Sequence, residues 1–288
     1  LVGSLVLRAK SLQTMSVRTA WLLAVVVGVA MATKWTGVFI WLALVGWLSI
    51  SLVWQLVPRQ IGGWRVQLIK LFFVMVVPWL VYLLLYAPAA LTHQGYGHVF
   101  ALHQQAWLYH LNRDSNHVYA SRPWQWVLNA RPVWYWQDQS LFALDDVSKK
   151  SYWRANIYAV SHPLLPLVGL AGLGWAIRTV LVRKNRDGLF WQLLFVCCMY
   201  FAVWVPWMLS PRIMFYYHYL PAVPFLAVIV GAWSTWVLHG GGTARRRLIV
   251  TLVCAWLLGV VLWLPHWLGL RVPKELVDTI YFGLPGWR

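Results

Sequence analysis

Acid is the scarcest commodity in this chain. Seven Asp and Glu residues stand among 288, against 24 Lys and Arg, and charged residues of both signs reach only 11%. A soluble domain carries about 25%, so water is excluded as the main surroundings of this surface. None of the long apolar runs contains an Asp or Glu. Proton-coupled carriers keep carboxylates inside the membrane, and no paired inverted repeat is visible either, so transport is disfavoured. Cysteine is scarce too. Cys197, Cys198 and Cys254 all sit in apolar runs and read as small core residues, not a disulfide framework. There is no P-loop, no dinucleotide fingerprint, no G-x-S-x-G and no H-E-x-x-H, which removes the common nucleotide, hydrolase and zinc signatures. A net charge of +17 without a basic face leaves nucleic acid without a docking surface.

What is abundant is apolar and aromatic. Hydrophobic residues make up 61%, with 23 tryptophans. A membrane helix needs about 20 apolar residues, and seven stretches meet or approach this: 17–33, 36–57, 67–91, 160–181, 188–209, 213–238 and 247–265. The expected fold is an all-α integral membrane protein, a polytopic bundle of about seven transmembrane helices with one large external loop. We expect a single membrane domain over 1–288, an external loop at 92–159 and an external tail at 266–288. The chain opens on Leu1 and enters abruptly, so it reads as the C-terminal fragment of a longer chain.

Charge between the runs sets the expected orientation. Arg8, Lys10 and Arg18, then Arg59, Arg65 and Lys70, then Arg178, Arg183, Lys184 and Arg186, then Arg245, Arg246 and Arg247 alternate along the chain with opposite connections whose short turns carry only Lys34 and Arg212. Basic residues favour the cytoplasmic side. This puts 92–159 and the C-terminus outside, in a multi-pass plasma-membrane protein, with six of the seven acids: Asp114, Asp138, Asp145, Asp146, Glu275 and Asp278.

Two outer connections carry candidate chemistry. In Ser210-Pro211-Arg212-Ile213-Met214-Phe215-Tyr216-Tyr217-His218-Tyr219-Leu220-Pro221, Arg212 is a fixed cation at the hydrocarbon edge. Its planar fork suits a phosphate, and Tyr217 and His218 add donors. The plainer reading is an arginine snorkelling to headgroups. In Ala32-Thr33-Lys34-Trp35-Thr36-Gly37, Lys34 faces the same side and suits the same kind of anion, or simply anchors at the interface. The aromatics from Trp107 to Trp136 fit either an interfacial belt or a platform for sugar or peptide. Five loop histidines, His93, His98, His103, His110 and His117, lack metal-ligand spacing and read as interface residues; no metal site is expected.

These segments resemble the C-terminal half of protein O-mannosyltransferases, which use dolichyl- or polyprenyl-phosphate-mannose on a C-type membrane glycosyltransferase fold. Lys34-Trp35-Thr36-Gly37 is similar to the family's lysine-tryptophan-x-glycine segment. Tyr109-His110-Leu111, His117-Val118-Tyr119-Ala120-Ser121, Pro123-Trp124-Gln125-Trp126 and Arg131-Pro132-Val133-Trp134-Tyr135-Trp136 follow its loop pattern. Ile157-Tyr158-Ala159-Val160-Ser161-His162-Pro163 resembles its isoleucine-tyrosine-alanine-leucine-glycine-asparagine-proline segment, with Ser161-His162 in place of glycine-asparagine. Arg212 to Pro221 resembles its arginine…phenylalanine…tyrosine-histidine-tyrosine-x-proline segment. The loop is too short for the eukaryotic sugar-binding-like domain, which points to the bacterial branch.

The resemblance implies transfer of mannose from a polyprenyl-phosphate donor to Ser or Thr hydroxyls of secreted or membrane proteins. The family's aspartate-glutamate pair, thought to supply the catalytic base, is expected upstream of Leu1, so the catalytic residue is unassigned and the fragment is expected to be inactive alone. Arg212, Lys34, Tyr217 and His218 are expected at the donor phosphate. His110, Arg131, Trp134 and Tyr135 are expected to contact acceptor or sugar. No cofactor is expected, since the lipid-linked sugar is a substrate. Membrane lipid and the secretion machinery are the further expected partners. A related transferase that glycosylates a lipid, for example with aminoarabinose, and a non-catalytic membrane subunit are the alternatives.

Overall fold

A computed structural model describes residues 15–56, 64–92, 95–111, 117–138, 152–183 and 187–281. In chain order its elements are α1 (Val17–Thr33), α2 (Gly37–Leu56), α3 (Trp64–Thr92), α4 (Tyr96–Leu111), α5 (Pro123–Val127), β1 (Val133–Gln137), β2 (Trp153–Arg154), β3 (Asn156–Ala159), α6 (Leu165–Val182), α7 (Gly188–Trp204), α8 (Val223–His239), α9 (Thr243–Leu268) and β4 (Val272–Pro273). Short 3₁₀ turns occupy Val205–Leu209, Tyr216–His218 and Leu220–Ala222.

Each of the seven apolar stretches carries a helix. Without water, a backbone inside lipid must satisfy its own N–H and C=O groups, and a helix does so within one segment. Among the described residues, five helical segments are long and apolar enough to cross a membrane: Trp64–Thr92, Leu165–Val182, Gly188–Leu209, Tyr216–His239 and Thr243–Leu268. Val17–Thr33 and the second apolar helix over Gly37–Val53 are shorter. Outward-facing side chains such as Leu84, Leu257 and Val261 are stable because their surroundings are lipid, not water. The chain is a multi-pass membrane protein.

It divides into two compact units: Leu1–Arg113 with Ala176–Arg212, and Asp114–Trp175 with Ile213–Arg288. In the first, α1 packs along α3. A Cβ on Gly28 would lie 2.7 Å from the Pro78 carbonyl oxygen, so glycine is what lets these two backbones approach. Trp41 Nε1 donates to the Val74 carbonyl at 2.8 Å and ties α2 to α3. Ser16 caps α1, its hydroxyl accepting from Thr19 N–H at 3.1 Å, as expected of a helix start. Asp187 caps α7 in the same way, accepting from Phe190 N–H at 3.1 Å.

The second unit adds what the all-helical expectation left out: four short strands in two antiparallel pairs. In β1–β3, Val133 faces Ala159 and Trp134 faces Tyr158. A bulge at Tyr135 then shifts the register to Trp136–Ile157 and Gln137–Asn156. Aromatic and branched residues suit such ladders, but a five-residue strand is shorter than any period that shows in the sequence. In β2–β4, Trp153 pairs with Pro273 and Arg154 with Val272. Helix α9 ends where Gly269 turns left-handed at φ 67°.

Candidate functional site

The first unit builds a cation-rimmed cavity. Lys34 ends α1, its N–H bonded to the Ala30 carbonyl, and Gly37 N–H returns to the Lys34 carbonyl at 2.9 Å. This tight turn needs its glycine. A Cβ on Gly37 would lie 2.6 Å from the Met31 backbone nitrogen, which explains on steric grounds the glycine of the lysine-tryptophan-x-glycine segment. The turn aims Trp35 at α4, where it stacks on His103 with ring centroids 5.7 Å apart. His103 Nδ1 sits 2.7 Å from the Val99 carbonyl oxygen. That contact makes Nδ1 the protonated nitrogen and leaves Nε2 to accept from the Tyr82 hydroxyl. The His103 ring is thereby locked between α3 and Trp35.

These side chains line a cavity of about 580 Å³, whose wall continues through Trp79, Trp107 and Trp207 to Arg212. Its lining is almost entirely apolar, as in small-molecule sites with few directing polar groups. Thr36 is 5% exposed and lines this cavity, yet its Oγ1 has no hydrogen-bond partner among the described residues. Buried hydroxyls are normally satisfied. Lys34 is exposed at the turn, but the protein beneath it removes water. That desolvation first, and the nearby Arg212 guanidinium second, hold its ammonium below the usual lysine range. Two cations this close repel, and an anion set between them relieves the repulsion.

The second unit builds a different object, a saturated polar hub. Asn129 adopts φ 51°, a conformation asparagine tolerates better than most residues. Its Oδ1 accepts from Ser161 Oγ at 2.7 Å and from the Tyr216 hydroxyl at 2.8 Å, and its Nδ2 donates to the His162 carbonyl at 3.0 Å. Tyr216 in turn accepts from Ser161 N–H at 3.1 Å. Alongside it, Trp126 donates to Ser121 Oγ at 2.8 Å and stacks on His218 at 6.0 Å. His218 is 3% exposed, with Nδ1 3.0 Å from the Phe215 carbonyl oxygen.

The expected site residues therefore fall into two sets. Lys34 and Arg212 are brought together in the first unit. Tyr217, His218, Arg131, Trp134 and Tyr135 belong to the second. There Tyr217 stacks on His218 at 4.4 Å and faces Tyr135 at 6.3 Å, while Trp134 stacks on Tyr158 at 6.3 Å. Arg131 is half-buried before β1. His110 lies near the end of α4, with its side chain outside the described residues. Asp114, Asp145 and Asp146 also lie outside them. Sequence reasoning missed Thr36 and Tyr82 as cavity residues and took His103 for an interface histidine. Only the fold brings α1, α3 and α4 to one wall. Among the described residues, no cluster of three or more His, Cys, Asp or Glu side chains is placed to hold a metal.

Comparison with known proteins identifies the family. Residues 96–280 match the model of the C-terminal four TMM region of protein-O-mannosyltransferase. The chain belongs to the protein O-mannosyltransferase family. Curated relatives of that family include the polyprenol-phosphate-mannose–protein mannosyltransferase of Mycobacterium tuberculosis, 26% identical over 302 aligned residues that cover 92% of this chain and 56% of the relative. The Mycolicibacterium smegmatis protein of the same name is 25% identical, over 92% and 57%. The chain thus spans about half the length of the curated relatives it matches. Among solved structures, the Saccharomyces cerevisiae Pmt1–Pmt2 complex bound to the sugar donor aligns with 62% of this chain and 25% of the yeast chain, at 21% identity and a TM-score of 0.48.

Proposed function

We propose that this chain forms the donor-gripping part of a polyprenyl-phosphate-mannose–protein mannosyltransferase. The observation that carries the proposal is that Arg212 and the Thr36 hydroxyl line one aromatic cavity, with Lys34, next to two of its lining residues in sequence, close enough to Arg212 to feel its charge. A phosphodiester that joins a sugar to a lipid needs the three features this cavity offers: cations for the phosphate, a hydroxyl donor, and apolar walls for what the phosphate carries.

In the reaction, the Ser or Thr hydroxyl oxygen bonds to C1 of mannose as the C1–O bond to phosphate breaks. The hydroxyl proton passes to a carboxylate, a role for the family's acidic pair and for none of the residues assigned here. The bonding electrons leave with the polyprenyl phosphate, whose charge rises as the bond breaks. Arg212 and Lys34 stabilise that charge more in the transition state than in the ground state, which is what accelerates a reaction. No cofactor takes part, because the donor brings its own leaving group. Tyr217, His218, Arg131, Trp134 and Tyr135 belong to the other unit and are assigned no part in gripping the donor. The site opens to the exterior of the plasma membrane, where secreted and membrane proteins emerge from the secretion machinery as acceptors.

Arg212→Ala in the full-length enzyme, assayed in membranes with synthetic donor and peptide, is expected to lower kcat by about 10²–10³-fold, the usual loss for a charge-stabilising group. Membrane insertion should be unchanged. Turnover within threefold of wild type would overturn the assignment.

A further inference from the structure

The second unit holds another cavity that the transfer reaction does not use. A groove of about 310 Å³ runs between the start of α6, α8 and α9. On α9 it is lined by Ile249, Leu252, Val253 and Trp256. Those positions fall at the i, i+3, i+4, i+7 spacing of a single helix face. Continued toward the helix start, the same stripe reaches Arg245 and Arg246. Both are exposed, and the Arg245 guanidinium lies 5.8 Å from the centre of the Trp236 ring on α8. It therefore lies against α8 near the turn from α8 into α9, one helical turn before the groove-lining Ile249. Trp256, at the far end, is fixed by stacking on His162 at 3.7 Å.

The charge at the foot has no acid of its own nearby in sequence: from Gly188 to Lys274 the chain contains no Asp or Glu. The stripe from Arg245 to Trp256 covers roughly 16 Å at 1.5 Å per residue, about half of a hydrocarbon core of roughly 30 Å. A matching ligand has an apolar chain one leaflet long and a negative head at its end. Basic side chains at a membrane surface attract anionic lipid, whereas a zwitterionic head carries an ammonium that the arginines repel.

We infer that the α6–α8–α9 groove is a binding site for an anionic glycerophospholipid, with one acyl chain along Ile249, Leu252, Val253 and Trp256 and the phosphate head on Arg245 and Arg246. The site is separate from the donor cavity and does not depend on the proposed function. It gives the basic cluster a second role beyond orienting the helix.

Gly231 permits a clean test. It lines the groove, and a Cβ placed there meets nothing within 4 Å. Gly231→Leu thus fills the groove without displacing backbone. The full-length protein would be exchanged into vesicles of equal phosphatidylcholine and phosphatidylglycerol, re-extracted, and its retained lipid counted by native mass spectrometry. The wild type is expected to retain phosphatidylglycerol at least fivefold over phosphatidylcholine. Gly231→Leu should lose that retained lipid. Arg245→Gln/Arg246→Gln should keep a lipid but lose the fivefold preference, and Arg245→Lys/Arg246→Lys, which preserves the topology signal, should keep most of the preference. Val253→Trp serves as a second filling variant if Gly231→Leu does not fold. No enrichment in the wild type, enrichment that survives groove filling, or displacement by added polyprenyl phosphate each overturns the proposal.

Discussion

The two units of this chain use the same residue types to opposite ends. In the first, Trp35, Trp79, Trp107 and Trp207 stand around open space with Arg212 in the wall, Lys34 close to it, and a Thr36 hydroxyl that has no hydrogen-bond partner among the described residues. In the second, Trp126, Tyr216 and His218 are buried and the polar atoms around Asn129 are bonded to one another. Unspent hydrogen-bonding capacity beside a cavity marks where a ligand fits. Spent capacity marks where the protein holds itself together. By that criterion His218 of the tyrosine-histidine-tyrosine segment, and Tyr216 just before it, are chiefly architecture, and the less prominent Thr36 is the better candidate for ligand contact.

The contrast is open to attack at several points. The largest effect is expected at the hub. Asn129→Ala removes the side-chain hydrogen bonds that tie Ser161, His162 and Tyr216 together. Thermal unfolding in detergent should show a loss of roughly 2–4 kcal/mol. A loss under 1 kcal/mol would mean that the hub is not a stability centre. Next comes Gly37→Ala, whose methyl collides with the end of α1. It should cost about 1–3 kcal/mol and also reduce donor affinity, because the turn places Lys34. Thr36→Val should do the reverse. Stability holds, since no intramolecular hydrogen bond is lost, while donor binding weakens about tenfold, or ~1.4 kcal/mol. If Thr36→Val leaves donor affinity unchanged, the unsatisfied hydroxyl is not part of the site.

The smallest effect concerns pH. Burial, partly offset by the Nε2 contact to the Trp256 carbonyl, lowers the pKa of His162 from its ordinary 6.5. The unfolded chain therefore takes up a proton near pH 6.5 that the folded protein takes up only at lower pH. Stability contributed at this position is full above 6.5 and falls as pH drops below it. His162→Asn, which stays polar but cannot titrate, should flatten that acid limb in a series of unfolding curves from pH 8 to 5. An unchanged limb would assign the acid sensitivity to other groups.

The helices were legible because apolar runs of this length leave few alternatives to a helix in lipid. Their ends were less so. The stretch starting at 213 becomes regular helix only at Val223, since Pro221 and Pro224 withhold two backbone donors. The stretch starting at 160 becomes helical only at Leu165, since His162 folds its Nδ1 onto the Leu164 N–H at 3.1 Å. Lys34 and Arg212 could be named from sequence because isolated charges between apolar runs are rare. Tyr82 and His103 could not. Their meeting depends on α3 and α4 being adjacent, and neither residue type is unusual at a membrane boundary.

The account stands or falls on one phosphate being shared by two cations. The direct measurement is a double-mutant cycle on the affinity of the full-length enzyme for polyprenyl phosphate, using wild type, Lys34→Ala, Arg212→Ala and the double variant. A shared ligand predicts that each single substitution weakens binding at least tenfold and that the double variant loses clearly less than the product of the two. Two losses that simply multiply, or a single variant that binds as tightly as wild type, would show that Lys34 and Arg212 do not act on the same phosphate.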